Sequence, residues 1–216
     1  MPTHSDVIAA VQSGDAEKLR GLLHEDPALA AAKDANGVSA VMHAFYYRRP
    51  EIADLLLAAK SELDIFEATA AGKADKVSEI LKRDPQAVKS WSGDGFSALH
   101  FAAFFNQPEI ATILIRHGAD VSAASKNPMK VAPLHSAAAA HSGGIVRILV
   151  ENGAPANARQ DGGWTALHEA AQIGDVEMVK TLLEHGADPQ ARSDSGMTTT
   201  EMAAKGHEEI VTLLSK

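Results

Sequence analysis

The 216-residue chain contains no cysteine. Disulfides, thiolate-bound metals and cysteine nucleophiles are therefore excluded, and a reducing compartment is the default expectation. Aromatic residues are also scarce, at 5% of the chain, whereas hydrophobic residues of all kinds make up 45%. The chain is too apolar to be disordered, but it has little bulky material for one large closed core. Burial must rest mainly on small aliphatic side chains, which favours closely stacked helices.

Long apolar runs and positively charged stripes are missing as well. No apolar stretch approaches the roughly 18 residues that span a bilayer, and the N-terminal residues lack the pattern of a signal peptide. Acidic residues outnumber basic ones by 28 to 20, the formal net charge is −8, and the longest basic cluster is Arg48-Arg49. Such a charge repels a phosphate backbone. We therefore expect a soluble, cytoplasmic protein that binds neither nucleic acid nor a membrane.

The chain is instead rich in self-similarity, which is best sought before single elements are assigned. A four-residue segment occurs three times at offsets of 35 and 33 residues, and a Gly-Ala pair follows the start of each copy by 21 residues. The copies are Ser97-Ala98-Leu99-His100, Ala132-Pro133-Leu134-His135 and Thr165-Ala166-Leu167-His168. Because the spacing within a copy is constant, the two extra residues of the longer interval must lie in one connecting loop.

Each copy predicts two short helices joined by a turn. In the sharpest copy, Thr165 can cap the first helix and Gly174 interrupts it. A second helix is predicted through Val176–His185, with apolar residues at helical spacing, and Gly186 supplies the left-handed residue that ends it. One such helix pair is too small to bury its own apolar face, so neighbouring copies must stack.

These residues resemble the ankyrin-repeat family, whose consensus combines the segments T-P-L-H-x-A-A, G-H-x-E-V-V-x-L-L-L and G-A-D. The unit from Gln160 to Arg192 follows that consensus nearly throughout, and weaker copies cover almost the whole chain. The resemblance implies an all-α fold, an α-solenoid of stacked helix-turn-helix repeats joined by short finger loops that resemble β-hairpins. We predict a single domain over 1–216 with about seven repeats, of which the first and last act as caps. Their ranges are near 4–33, 34–62, 63–91, 92–125, 126–159, 160–192 and 193–216.

Two irregularities interrupt the repeat pattern. Between the second and third repeats the connecting loop nearly vanishes, so we expect a gap there in the row of fingers. In the last repeat the first helix is one residue shorter before Gly206, as suits a cap whose outer face meets water.

Ten histidines invite a metal or catalytic hypothesis. His100, His135 and His168 occupy the position where, by the resemblance, the imidazole bonds within and between repeats. Stacked helices lie roughly 8–10 Å apart, whereas zinc ligands approach to about 2 Å, so these three cannot share one ion. No nucleophile elbow or phosphate-binding loop is present. Carboxylates such as Glu67 and the pair Glu208-Glu209 fall on predicted polar faces, where solvation explains them. We therefore expect no cofactor, no metal and no catalytic residue.

By the resemblance, the finger tips and the ends of the first helices form a concave face that contacts a partner. Large apolar side chains, which dominate interface energies, concentrate at those positions. The candidate partner-binding residues are Tyr46, Tyr47, Trp91, Phe96, Phe104, Phe105, Met129, Trp164, Ile173 and Met197. The two pairs Tyr46-Tyr47 and Phe104-Phe105 alternate along the stack with alanine pairs. Their rings either face a partner, or lean over the small neighbours and complete the packing, or divide so that one ring of each pair is buried.

The function that these observations favour is a non-enzymatic, monomeric protein–protein interaction module. Its acidic surface favours a partner of basic or mixed charge. One alternative is a stoichiometric inhibitor of a partner enzyme or toxin, which would use the same groove. Another is an enzyme or ligand-binding protein with a groove site built around His141 and Glu169.

Overall fold

The computed structural model describes residues 1–203 and 206–215 of the chain. In these residues fourteen α-helices form, and β-structure is limited to isolated bridges at the bases of three loops. The helices are α1 His4–Ser13, α2 Ala16–Glu25, α3 Ala40–Tyr46, α4 Pro50–Ala59, α5 Ile65–Ala70, α6 Ala74–Arg83, α7 Ala98–Phe104, α8 Pro108–Arg116, α9 Pro133–Ala139, α10 Gly143–Glu151, α11 Ala166–Ile173, α12 Val176–Glu184, α13 Thr199–Ala203 and α14 Glu208–Leu214. Short 3-10 helices cover Pro27–Ala31, Pro85–Lys89 and Asp161–Gly163. None of the helices in the described residues is long and apolar enough to cross a membrane.

Consecutive helices pack in pairs, from α1 with α2 to α13 with α14, and the pairs stack along the chain. First helices contact first helices, and second helices contact second helices. This arrangement confirms the predicted all-α solenoid. Each predicted repeat range contains one of these pairs, while the repeat boundaries themselves stay a prediction. The predicted helix ends are confirmed at Gly174 and Gly186, whose φ angles of 83° and 84° lie in the left-handed region that favours glycine.

Five loops precede α3, α7, α9, α11 and α13, and each is closed by a backbone hydrogen bond. We call them fingers 1 to 5; they span 34–38, 92–96, 125–131, 160–164 and 193–197. In four of them the first residue donates its N–H to the carbonyl four positions later. Finger 3 closes over six positions, from the Ser125 N–H to the Val131 carbonyl at 2.7 Å. The two extra residues predicted for one connecting loop therefore lie in finger 3.

No finger forms between α4 and α5, where residues 60–64 are the whole connection. The predicted loss of the connecting loop is confirmed at this point, whereas the gap that we expected in the row of fingers is not observed. Fingers 1 and 2 meet across the short α5, since a Cβ atom added to Gly93 would lie 2.2 Å from the carbonyl oxygen of Asn36. On the side of the stack away from the fingers, α4 and α6 make fewer contacts with each other than any other two neighbouring second helices of the described chain. A cleft of about 460 Å³ opens between them. Without a finger as spacer, the helix pairs lean together on the finger side and apart on the other.

The buried core is built mainly from alanine, leucine, valine and isoleucine, as the scarcity of aromatics predicted. One cluster lies within residues 7–56, and a larger one lies within residues 65–214. A third cluster of mostly aromatic residues joins α3, α5 and α7. Its members are Val38, Met42, Phe45, Tyr46, Phe66, Ala70, Phe96, Phe101 and Phe105. We call this cluster the aromatic seam. It occupies the place where the finger is missing and the helix pairs lean together.

Glu67 was expected on a solvated polar face, and this prediction is wrong because its side chain is fully buried. Its Oε1 atom accepts a hydrogen bond from the Lys60 ammonium at 2.7 Å, and its Oε2 atom accepts one from the Asp64 N–H at 3.1 Å. Asp64 caps α5, so Asp64 and Glu67 form a capping box. Burial, and next the charge of Glu67, raises the pKa of Asp64. Glu67 is the third residue after the cap Asp64, just as His100 is the third residue after the cap Ser97 of α7. This position faces the neighbouring helix pair and not solvent.

The last helix pair begins with Thr198, whose N–H donates to the Glu201 carboxylate at 2.8 Å. Our prediction that the first helix of this pair is one residue shorter before Gly206 falls on residues 204–205, which lie outside the described residues.

Candidate binding groove

Three histidines hold the fingers on the helix stack. In His100, Nδ1 accepts a hydrogen bond from the Ser97 N–H at 3.2 Å, and Nε2 donates to the Val131 carbonyl of finger 3 at 2.8 Å. His135 bonds the Ala158 and Trp164 carbonyls, and His168 bonds the Met197 carbonyl. The prediction that these imidazoles bond within and between repeats is confirmed. Fingers 3, 4 and 5 are thereby each fixed to the helix pair before them.

These imidazoles are neutral at pH 7. Burial lowers the pKa of His100 to about 4, and it also lowers the pKa of His135 and His168. A neutral ring has one acceptor and one donor nitrogen, which matches the observed partners of each histidine. The fingers are therefore held by uncharged hydrogen bonds in a largely dry environment.

An apolar recess of about 290 Å³ lies between fingers 2 and 3 and the first helices. Four of the ten candidate residues line it: Tyr46, Phe96, Phe104 and Met129. The remaining lining residues are His100, Phe101, Val131, His135, Ser136, Ala139 and Gln160. Because the histidines are neutral, no lining side chain carries a charge at pH 7. The recess therefore suits an apolar group.

A wider recess of about 580 Å³ adjoins the first and shares three of its residues, Tyr46, Phe104 and Ala139. It extends over Phe105 to Arg48 and Arg49, the two residues immediately before Pro50. We call the two recesses together the groove. Among the described residues, Arg48 and Arg49 are its only charged lining residues. Sequence reasoning missed their place in the groove, although it did single them out as the longest basic cluster.

Each of the two aromatic pairs divides between the surface and the interior. The side chains of Tyr47 and Phe104 are 47% and 46% exposed. Tyr46 and Phe105 instead pack against each other with ring centroids 6.3 Å apart, and both contact Phe101 of the aromatic seam. Of the three arrangements left open by the sequence, the divided one is observed. Phe104 is thus the exposed ring in the middle of the groove.

Five candidate residues lie outside the groove. Tyr47 stacks on His43 with centroids 6.1 Å apart, and Trp164 packs edge-on against His168 at 5.2 Å. Trp91 lines a different recess, where the Lys126 ammonium lies 4.7 Å from its ring. Ile173 is the last residue of α11 and Met197 is the last residue of finger 5, and neither lines the groove. The predicted partner-binding role of all ten residues stays a prediction.

The structure offers little support for the alternative catalytic or ligand-binding site around His141 and Glu169. His141 is exposed and follows α9 with a φ of 55°, whereas Glu169 is partly buried within α11. No hydrogen bond or ion pair joins their side chains in the part of the chain that the structure describes. Within that same part, no group of three or more His, Asp or Glu side chains is placed to hold a metal ion.

A comparison with protein families agrees with this architecture. A family model described as "Ankyrin repeats (3 copies)" matches residues 65–160 and, in a second match, residues 134–216. Together the two matches cover more than half of the chain and begin at the first residue of α5.

Proposed function

The chain belongs to the ankyrin-repeat family, and from this premise we propose that it binds a partner protein through the groove. Ankyrin repeats are generally protein–protein interaction modules, and members of the family are typically non-enzymatic. The observation that carries the proposal is the convergence of Tyr46, Phe96, Phe104 and Met129 on one apolar recess. These residues come from α3, two fingers and α7, so the recess is a product of the fold.

Exposure within the groove supports binding by burial of apolar surface. Phe104 and Met129 are 46% and 50% exposed, although both are large and apolar. Covering such side chains with a partner releases water from apolar surface and stabilises the complex. Aromatic side chains near the centre of an interface commonly carry most of its binding energy. Phe104, which is shared by both recesses, is the central residue of the proposed interface.

The groove is also held in place before any partner arrives. His100 and His135 fix the neighbouring fingers by hydrogen bonds, and the aromatic seam supports the groove from below. A pre-organised surface loses less conformational entropy on binding than a flexible one does. The proposed mechanism is therefore steric and hydrophobic, with no chemical step.

Affinity capture tests this proposal when the wild-type chain is compared with Phe104→Ala. The proposal confines binding to those candidates that line the groove, so it assigns no role to Met197. Met197→Ala is therefore the matched control, because Met197 is also exposed and apolar but lies on finger 5 outside the groove. We expect each partner captured by the wild type to be lost with Phe104→Ala and kept with Met197→Ala, while both variants keep the wild-type circular dichroism spectrum. Equal capture by all three proteins would overturn the proposal.

The activity of a captured partner distinguishes a scaffold role from an inhibitor role. If a captured partner is an enzyme, titration with the wild-type chain either abolishes its activity at one-to-one stoichiometry or leaves it unchanged. The first result identifies a stoichiometric inhibitor and the second a scaffold. We further propose that the chain acts as a monomer, which light scattering on the purified protein tests directly.

A further inference from the structure

The groove differs in charge from the molecule as a whole. The chain carries a formal net charge of −8, yet the charged residues that line the groove are both arginines. Within residues 1–203 and 206–215, no aspartate or glutamate lines either recess. Local charge, more than net charge, decides which groups are attracted into a partly desolvated groove.

Both arginines are available to an external partner. Arg48 is exposed and has a φ of 52°, and Arg49 is exposed with its guanidinium lying over Gly14. Neither side chain takes part in an ion pair within residues 1–203 and 206–215. A guanidinium offers several N–H donors in a plane and pairs well with a carboxylate.

The carboxylate that bonds to the groove residue Tyr46 is already engaged inside the protein. Asp94 of finger 2 accepts hydrogen bonds from the Tyr46 hydroxyl and from the Ser92 hydroxyl. Each of its oxygens accepts one of these hydrogen bonds, and neither oxygen forms an ion pair with Arg48 or Arg49 in the described part of the chain.

We propose that the groove takes an acidic segment of a partner protein that carries one large apolar side chain. The apolar side chain fills the recess beside Phe104 and Met129, and a neighbouring carboxylate pairs with Arg48 or Arg49. At about 290 Å³ the recess has the volume of about ten water molecules of the liquid, which accommodates one aromatic or large aliphatic side chain. This inference rests on the proposed function and adds the chemistry of the partner. It differs from the expectation drawn from net charge, which favoured a basic or mixed partner.

Selection from a library of short random linear peptides tests this inference, since it does not require an identified partner. Purified wild-type protein is the bait, and fluorescence anisotropy then measures the affinity of an enriched, labelled peptide. We expect enriched sequences to combine aspartate or glutamate with an aromatic or large aliphatic residue. Binding should weaken with rising salt, because part of it is electrostatic.

Two double variants isolate the role of the arginines. Arg48→Glu/Arg49→Glu should weaken binding of the enriched peptide by about tenfold or more. Lys82→Glu/Arg116→Glu changes the net charge equally at exposed positions in the last turns of α6 and α8, away from the groove, and should leave the affinity unchanged. Urea unfolding of each variant shows that the groove is still folded.

The outcomes distinguish this inference from the proposed function. Acidic, apolar peptides that lose affinity with Arg48→Glu/Arg49→Glu but not with the control variant support it. Peptides that depend on Phe104 yet lack acidic residues, or that bind the arginine variant unchanged, overturn the acidic-partner inference and leave the proposed function standing. Absence of any peptide that depends on Phe104 overturns both.

Discussion

The hydroxyl of Tyr46 at the end of α3 donates a hydrogen bond to the carboxylate of Asp94 in finger 2, across the whole α5–α6 pair. Two residues 48 positions apart thus join the second and fourth helix pairs directly. Burial and the bond to Asp94 raise the pKa of Tyr46. The hydroxyl therefore stays protonated and remains a donor at neutral pH.

Tyr46→Phe removes this bond while it keeps the ring in the aromatic seam. We expect the free energy of unfolding to fall by about 1.5–3 kcal/mol, because a hydrogen bond to a charged acceptor is lost. Urea denaturation measures the effect, and Tyr47→Phe is the control, since Tyr47 is exposed and makes no bond to Asp94. An equal midpoint for both variants would show that the Tyr46–Asp94 bond does not stabilise the stack.

The neighbours Phe104 and Phe105 should differ sharply in their effect on stability. Phe105 packs against Phe45, Tyr46 and Phe101, whereas Phe104 is 46% exposed. We expect Phe105→Ala to cost about 2–3 kcal/mol and Phe104→Ala to cost less than about 1 kcal/mol. Thermal unfolding of the two variants measures the difference. A larger loss for Phe104→Ala would mean that this ring serves packing and not binding.

Glu67→Gln keeps the size of the side chain but leaves Lys60 without its buried counter-charge. The Lys60 side chain is only 11% exposed, so the uncompensated ammonium should destabilise the protein by about 3 kcal/mol. The double variant Lys60→Met/Glu67→Gln removes the charge as well and should recover part of the loss. Urea unfolding of both variants tests this, and a double variant that is less stable than Glu67→Gln alone would contradict the explanation.

Stability should fall on acidification through His100. The unfolded chain takes up a proton near the ordinary pKa of 6.5, whereas the buried ring does so only near pH 4. Between these values the unfolded state binds more protons, so the free energy of unfolding falls as the pH is lowered from 6.5 toward 4. The full effect of this shift is about 3 kcal/mol, and His135 and His168 act in the same direction.

A His100→Gln variant isolates that pH dependence. Its urea midpoint at pH 7 should be lower than that of the wild type, because the ring packs and bonds across repeats. Between pH 7 and pH 5, however, its midpoint should change less than the wild-type midpoint does. If the urea midpoints of the wild type and of His100→Gln fall equally between pH 7 and pH 5, groups other than His100 cause the acid sensitivity.

His141 follows α9 with a φ of 55°, at the place where Gly174 ends α11. A side chain in this left-handed conformation is strained, and glycine is not. We expect His141→Gly to raise the free energy of unfolding by about 0.5–1 kcal/mol, the strain relief exceeding the added entropy of the unfolded chain. Ala140→Gly is the control, since Ala140 has a φ of −88° and gains nothing from glycine. A melting temperature that falls in both variants would contradict the strain argument.

The sequence by itself determined the helix pairs, their ends and the fingers. The bonds that define these features join residues that are close in the chain, as in the cap from Ser97 to His100 or the left-handed turn at Gly174. Periodic apolar residues then select the face that each helix buries. Local hydrogen bonding and periodicity are readable in a short window, and for that reason these predictions were confirmed.

The tertiary structure alone decided how the missing finger was accommodated. The sequence predicted a gap and a solvated Glu67, whereas fingers 1 and 2 meet and Glu67 is buried in an ion pair with Lys60. Phe105 packs inward against Tyr46, Phe104 stays exposed, and Arg48 and Arg49 line the groove. These outcomes depend on the packing of three helix pairs around one short loop. The tilt of neighbouring helix pairs depends on which apolar surfaces remain to be buried after the pairs have stacked. The sequence of a single repeat therefore does not predict it.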